Sequence, residues 1–155
     1  MEEEEGRVAA VYEQHARRMW RALFSFTGDP EIASDAMAEA FARALADDHA
    51  IRDVASWTWR VAFRLASEEL KRRRSGVSAD PLMGEHPTYE MPEPVPEVMD
   101  ALNQLSPNQR VAVILHDYAD RPTREIADVI GCSPATVHVH LSQGRRRLRT
   151  ILEER

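Results

Sequence analysis

Residues 125–152 read EIADVIGCSPATVHVHLSQGRRRLRTIL, and this stretch decides the fold. A short amphipathic run from Glu125 to Ile130 meets Gly131-Cys132-Ser133, and Ser133-Pro134 then opens a longer helix. Serine just outside a helix offers its oxygen to an orphaned backbone amide, and proline at the first helical position has no amide to leave unpaired. A short helix, a tight glycine-containing turn and a second capped helix spell helix-turn-helix.

Placed on a wheel at ~100° per residue, Val137, Leu141, Leu148, Ile151 and Leu152 share one stripe, and Gly144 lies within it. Glycine costs a helix interior ~1 kcal/mol relative to alanine, so its position in the packed stripe marks a close helix approach. The outward face carries Ala135, Val139, Ser142, Gln143 and Arg146, flanked by Thr136, His138, Arg147 and Arg149. No acidic residue occurs from Val129 to Leu152. A cationic, acid-free helix that opens on small residues suits the DNA major groove, its tip near base edges and its arginines near phosphates. Arg145 belongs with the phosphate group, and Arg124 on the preceding helix is taken with these residues. A solvated basic face is the alternative for the arginines. His138 and His140 point ~200° apart, so they cannot chelate one metal ion together, and Cys132 adds nothing to them.

Upstream, Leu102 and Leu105 lead into Ser106-Pro107-Asn108-Gln109, which fits a capping box with proline at the first helical position. Val111, Ile114, Leu115 and Tyr118 continue that helix to Asp120-Arg121-Pro122. Before it, residues 75–100 hold five of the nine prolines: Pro81, Pro87, Pro92, Pro94 and Pro96. An extended linker is expected there, able to span ~80 Å at ~3.3 Å per residue.

The N-terminal block has its own three helices. Val8, Val11, Tyr12, His15, Met19, Leu23 and Phe26 form the first stripe, closed by Gly28. Asp29-Pro30 caps the second helix, in which Ile32/Ala33, Ala36/Met37, Ala40/Phe41 and Ala44/Leu45 repeat every four residues, and Asp47-Asp48-His49 breaks it. The third runs from about Val54 to Arg74. On it Trp57, Val61 and Leu65 line one face, while Trp59, Phe63 and Leu70 line nearly the opposite one. Between them lie Arg60, Arg64, Ser67, Lys71 and Arg74. One apolar face must be core. Aromatics beside cations suit unpaired DNA, because flat rings stack on bases while cations meet phosphates. Trp59 and Phe63 are therefore candidates with the basic stripe, burial in the block being the alternative. Asp35 and Glu39 sit one turn apart, either as a solvated acidic face or as a docking site for a basic surface.

Net charge is −6, but it is segregated: −4 over residues 1–6, +2 over 7–76, −6 over 77–100 and +2 over 101–155. Two mildly basic blocks flank an acidic connector, a pattern unlike a general DNA-coating protein. No apolar run approaches the ~20 residues of a membrane span, and the acidic start is unlike a signal peptide, so a cytoplasmic location without membrane insertion is expected. One cysteine allows no internal disulfide. His116-Asp117 is an adjacent pair on a helix and is not expected to converge, and no glycine loop cradles phosphate; neither enzyme activity nor a cofactor is expected.

With these parts in place the chain resembles the extracytoplasmic-function group of sigma factors. The likeness rests on residues 35–41 (DAMAEAF), 56–62 (SWTWRVA), 105–110 (LSPNQR), Glu125-Ile126-Ala127, and Thr136-Val137 leading into Arg145-Arg146-Arg147-Leu148. It implies an all-α chain of two small helical domains: region 2 over residues 7–76, a flexible acidic linker over 77–100, and the region 4 helix-turn-helix over 101–155. It further implies that Asp35 and Glu39 face the clamp helices of the largest subunit of core RNA polymerase, and that region 4 docks on the flap of the second subunit. Arg60 and Arg64 would meet the melted promoter element, and His138, Val139, His140 and Gln143 the distant duplex element. An anti-sigma factor is a further partner that the resemblance admits. Ala38, Arg64, His138 and His140 depart from the family's usual residues, so the promoter target is expected to differ from its commonest one. A stand-alone helix-turn-helix regulator is the rival reading, although it leaves the aromatic-basic helix and the acidic connector without a purpose.

Overall fold

The computed structural model describes residues 2–47, 50–76, 89 and 95–154. Among them every regular element is helical, and the chain divides into two units between Tyr89 and Glu90. Most of the connector, with Pro81, Pro87, Pro92 and Pro94, lies outside the described residues, as does Asp48-His49.

In the first unit α1 (Glu2–Thr27) ends where Gly28 adopts φ +71°, a left-handed conformation that glycine enters without steric cost. The Asp29 side chain then accepts the amides of Glu31 at 2.8 Å and Ile32 at 3.3 Å, starting α2 (Pro30–Ala46). Asp53 does the same for α3 (Val54–Arg74), accepting from the Ser56 amide at 3.1 Å. Ala33, Ala36, Ala40 and Ala44 keep one face of α2 thin, so that α1 and α3 can both pack closely against this helix. Between them Met19, Leu23 and Phe26 meet Trp59, Ala62, Phe63 and Ala66, all buried. The Phe63 ring stacks 5.6 Å from Phe26 and 6.2 Å from Trp59. Each buried indole has a partner for its N–H. Trp59 donates to His15 Nδ1 at 3.0 Å, and Trp20 donates to Ser34 Oγ at 2.9 Å. Tyr89 also belongs to this unit. Its ring lies 5.9 Å from Trp20, and its hydroxyl is 3.5 Å from that of Tyr12, a contact that together with burial pushes the Tyr12 hydroxyl up to about 12.

The second unit opens with α4 (Val95–Asn103), so residues 95–100, expected to be extended linker, are helical. The reason is local. Pro96 falls in the first turn, where its missing amide costs nothing, and Ala101 and Leu102 on the same helix, with Leu105 just after it, bury themselves against the unit's core. The buried Arg110 ties off that helix end, donating from Nε to the Leu102 carbonyl at 3.0 Å and from Nη2 to the Leu105 carbonyl at 3.3 Å. Ser106 and Gln109 form the expected capping box for α5 (Pro107–Val113), which widens into a π-helical turn over Ile114–Tyr118. Next come α6 (Thr123–Ile130), Gly131 at φ +83°, and α7 (Pro134–Glu153), capped by Ser133 accepting the Thr136 amide at 3.2 Å. A bidentate ion pair, Arg121 Nε and Nη2 to Glu125 at 2.7 and 2.8 Å, fixes the entry to α6, and Glu125 is buried within it.

Two substitutions separate packing from surface chemistry. Gly144→Ala should cost roughly 1–2 kcal/mol despite alanine's better helix propensity, because its Cβ would lie 2.8 Å from Val113 Cγ2 and 3.3 Å from the Gln109 carbonyl. Hydrogen exchange should show the lost protection in α5 and α7 and none in α1–α3. Trp59→Ala should cost about 3–5 kcal/mol, as a fully buried indole is removed. Trp57→Ala should cost about 1 kcal/mol or less, since that side chain is half-buried; urea unfolding followed by helical circular dichroism checks both.

Candidate nucleic-acid interface

The helix-turn-helix presents the outer face of α7 much as its sequence pattern requires. Val137, Leu141 and Gly144 are buried, while Ala135, Thr136, His138, Val139, Ser142, Gln143, Arg146, Arg147 and Arg149 are exposed. Val139 is 52% exposed. Gln143 receives a long 3.4 Å hydrogen bond from Gln109 Nε2, and Thr136 Oγ1 lies 2.9 Å from Ser133 Oγ. His138, Leu141, Ser142, Arg145, Arg146 and Arg149 line a shallow groove along the helix. Arg124 is exposed on α6.

Two residues of α7 differ from expectation. His140 is half-buried, and its Nδ1 is enclosed without a hydrogen-bond partner among the described residues, so that nitrogen is not presented to a base edge. Arg145, expected among the free phosphate contacts, is instead held by the π-helical turn. Its Nε donates to Asp117 Oδ2 at 2.9 Å, and its Nη2 donates to Asp117 Oδ1. His116 Nδ1 lies 2.9 Å from Asp117 Oδ1 and 3.2 Å from Arg145 Nη2. The pair His116-Asp117, not expected to converge, therefore does so on a third residue. The π turn changes the angular setting of successive residues relative to an α-helix, and π turns recur where a helix carries function.

In the first unit α3 carries the basic stripe, with Arg64, Lys71 and Arg74 exposed and Arg60 half-buried, its Nε 3.4 Å from the Ser56 carbonyl. Arg72 and Arg73 are tied to Glu69, and Arg73 also to Asp29 at 2.6 Å. Trp59 and Phe63, candidates for stacking on bases, are fully buried and offer no free ring face. The aromatic residue beside the cations is Trp57, half-buried, on the outward side of the helix next to Arg60 and Arg64. A signal for this was present in the sequence. The Trp59/Phe63 face is lined by Thr58, Ala62 and Ala66, small residues that let helices approach, whereas the Trp57, Val61 and Leu65 face is flanked by Arg64 and Glu68.

On α2, Asp35 and Glu39 are half-buried, and Glu39 pairs with Arg43 at 2.9 Å. Beside them Ala38 lines a shallow apolar groove between α1 and α2 together with Tyr12, Met37, Phe41 and Leu45, the last 53% exposed. Among the described residues no group of three or more His, Cys, Asp or Glu is placed to hold a metal ion, and no helix is long and apolar enough to cross a membrane.

The two units correspond to two known sequence families. Residues 11–76 match Sigma-70 region 2, and residues 96–148 match Sigma-70, region 4. The ECF RNA polymerase sigma factor SigL of Mycobacterium tuberculosis is 31% identical, over 94% of this chain and 88% of its own length. SigM of Bacillus subtilis, named in the same way, is 24% identical over 91% of this chain and 92% of its own. Among solved structures, the sigma factor RpoE of Bartonella quintana, in complex with the anti-sigma factor NepR, shares the fold with a TM-score of 0.74 at 20% identity, over 99% of this chain and 98% of its own. CnrH, in complex with the cytosolic domain of CnrY, gives 0.73 at 16% identity, over 97% and 90%. The region 2 match falls on the first unit and the region 4 match on the second, and with a relative 31% identical over nearly its whole length the chain belongs to the ECF RNA polymerase sigma factors.

Proposed function

We propose that this sigma factor recognises promoters through two chemically different surfaces, each productive only when core polymerase holds the chain. The observation that carries this reading is the exposed outer face of α7, acid-free and capped at its tip by Ser133, on a unit whose basic and acidic side chains balance over residues 95–155. Such a surface can read a duplex element but gains little from counterion release when it acts alone. Val139 and Ala135 would pack against thymine methyl groups, Gln143 would pair bidentately with adenine, and Arg146, Arg147 and Arg149 would meet phosphates. On α3, Trp57 with Arg60, Arg64, Lys71 and Arg74 would hold the melted element by stacking and charge. Asp35 and Glu39 on α2 would face the clamp helices of the largest polymerase subunit, and the second unit would dock on the flap of the second subunit. The boundaries proposed for the two functional regions are residues 7–76 and 95–155, the second extended by the helical residues of α4.

The chain supplies recognition and no catalytic group in this reading, and it acts in the cytoplasm where the polymerase works. An anti-sigma factor is a further proposed partner, supported by the bound NepR of the structural relative RpoE.

Run-off transcription with core polymerase, with and without the chain, tests the central reading: initiation at a specific promoter should require the chain. Footprinting at physiological salt should show both elements protected by the holoenzyme and neither by the chain alone. Tight, sequence-specific protection by the isolated chain would favour a stand-alone regulator instead. Within α7 the two classes of contact should separate. Gln143→Ala should relax the distant element at one position, by ~1–3 kcal/mol. Arg149→Ala should weaken all promoters alike and lower the salt slope by about one unit. Promoter libraries selected with each holoenzyme distinguish the two. An unchanged distant element with Gln143→Ala would place the base contacts on the His138 side of the helix.

A further inference from the structure

Arg145 stands apart from the other arginines of α7. Its neighbours in the groove, Arg146 and Arg149, are exposed, and no hydrogen bond from their guanidinium groups to a carboxylate occurs among the described residues. Arg145 by contrast gives both N–H groups of one edge, Nε and Nη2, to the two oxygens of Asp117. We propose that Asp117 is a counter-charge built into the promoter-reading unit: it withholds Arg145 from DNA phosphates and so limits how strongly the free chain grips duplex of any sequence. This rests on the reading of α7 as the helix that reads duplex DNA.

Three observations support withholding over the two other roles such a pair could have. The first of these roles is aiming Arg145 at DNA. The side-on edge, Nε with Nη2, is taken by Asp117, and His116 Nδ1 lies 3.2 Å from Nη2, the nitrogen that the end-on edge shares. Nη1 has no hydrogen-bond partner among the described residues, but a phosphate approaching it would meet the Asp117 carboxylate and the His116 ring beside it. A staple for helix packing is the other role. Both side chains are well exposed, 45% for Arg145 and 36% for Asp117, and exposed pairs add little stability, whereas Val137, Leu141 and Gly144 already fix α7. Finally, the charge on Asp117 is secure. The Arg145 hydrogen bond holds its carboxyl below the usual carboxylate range, outweighing the opposing effect of burial, and the contact with His116 acts in the same direction. Of the four arginines at 145–149, one is therefore cancelled where it stands.

A salt titration of the full chain on a fluorescent duplex of about 30 base pairs without promoter elements tests this. Asp117→Asn should bind more tightly, with a slope of log K against log salt steeper by about one unit, roughly a further fourfold loss between 50 and 200 mM. Arg145→Ala should leave the slope unchanged, unlike Arg149→Ala, and the double substitution Asp117→Asn with Arg145→Ala should return to the wild-type slope. Hydrogen exchange of α5 and α7 confirms that each variant keeps its fold, and the Arg145→Ala comparison decides the matter even if Asp117→Asn does not. Weaker binding by Asp117→Asn at unchanged slope would mean that the carboxylate aims Arg145, and no change in either quantity would mean a surface staple; both overturn the proposal. A slope drop with Arg145→Ala alone would do the same. If Arg146→Ala and Arg149→Ala also leave duplex binding untouched, the failure lies in the reading of α7 and not in Asp117.

Discussion

Where α7 crosses α5, a methyl group on Gly144 would meet Val113 Cγ2 at 2.8 Å and the Gln109 carbonyl at 3.3 Å, so the two helices touch backbone to side chain with nothing between them. That approach fixes the rotation of α7 about its own axis. With Val137 and Leu141 buried on the same side, the opposite face is left with Val139, Gln143 and Arg146. The other constraints of the unit serve this one. Arg110 ties off α4 so that Leu102 and Leu105 can cover the core from the far side, and the buried Arg121–Glu125 pair sets where α6 begins. Breaking a buried ion pair leaves one charge unpaired in a poor solvent, so that joint resists change more than its net contribution to stability implies.

The first unit solves a related problem with aromatic residues. α3 is apolar on two sides, and a three-helix unit can bury only one of them. The side with small neighbours wins: Trp59 and Phe63 go inward, with the indole N–H satisfied by His15, and Trp57 is left beside the arginines. Burial of the first pair gives the rigidity that the outward surface needs, because stacking on an unpaired base gains most from a ring that has already lost its freedom.

Much of this was legible in the residues. Caps at Asp29, Ser106 and Ser133, the glycine stops at Gly28 and Gly131, and the placement of Gly144 in a packed stripe all follow from backbone chemistry that acts within a few positions. The misplaced features depend on which of two surfaces wins a competition. Trp57 and Trp59 are equally apolar, and the alanines around one of them decide. The helical character of residues 95–100 was obscured by their prolines, although proline in a first turn is no obstacle. Arg145 could not be assigned from α7 alone, because its partner Asp117 lies 28 residues away and reaches it from a π turn that periodicity does not announce. His140 illustrates the same limit, since a wheel places a side chain on a shoulder but does not say which ring nitrogen faces inward.

All three tryptophans of the chain lie in the first unit, and this has a spectroscopic consequence. Trp20 and Trp59 are buried and hydrogen-bonded to fixed neighbours, so their emission should be insensitive to solutes that quench by collision. Trp57 alone is open to them, and it sits on the surface assigned to unpaired DNA. The second unit contributes no indole. The chain thus carries a native optical probe of one surface, silent to events at the other, with which strand capture can be timed separately from duplex recognition.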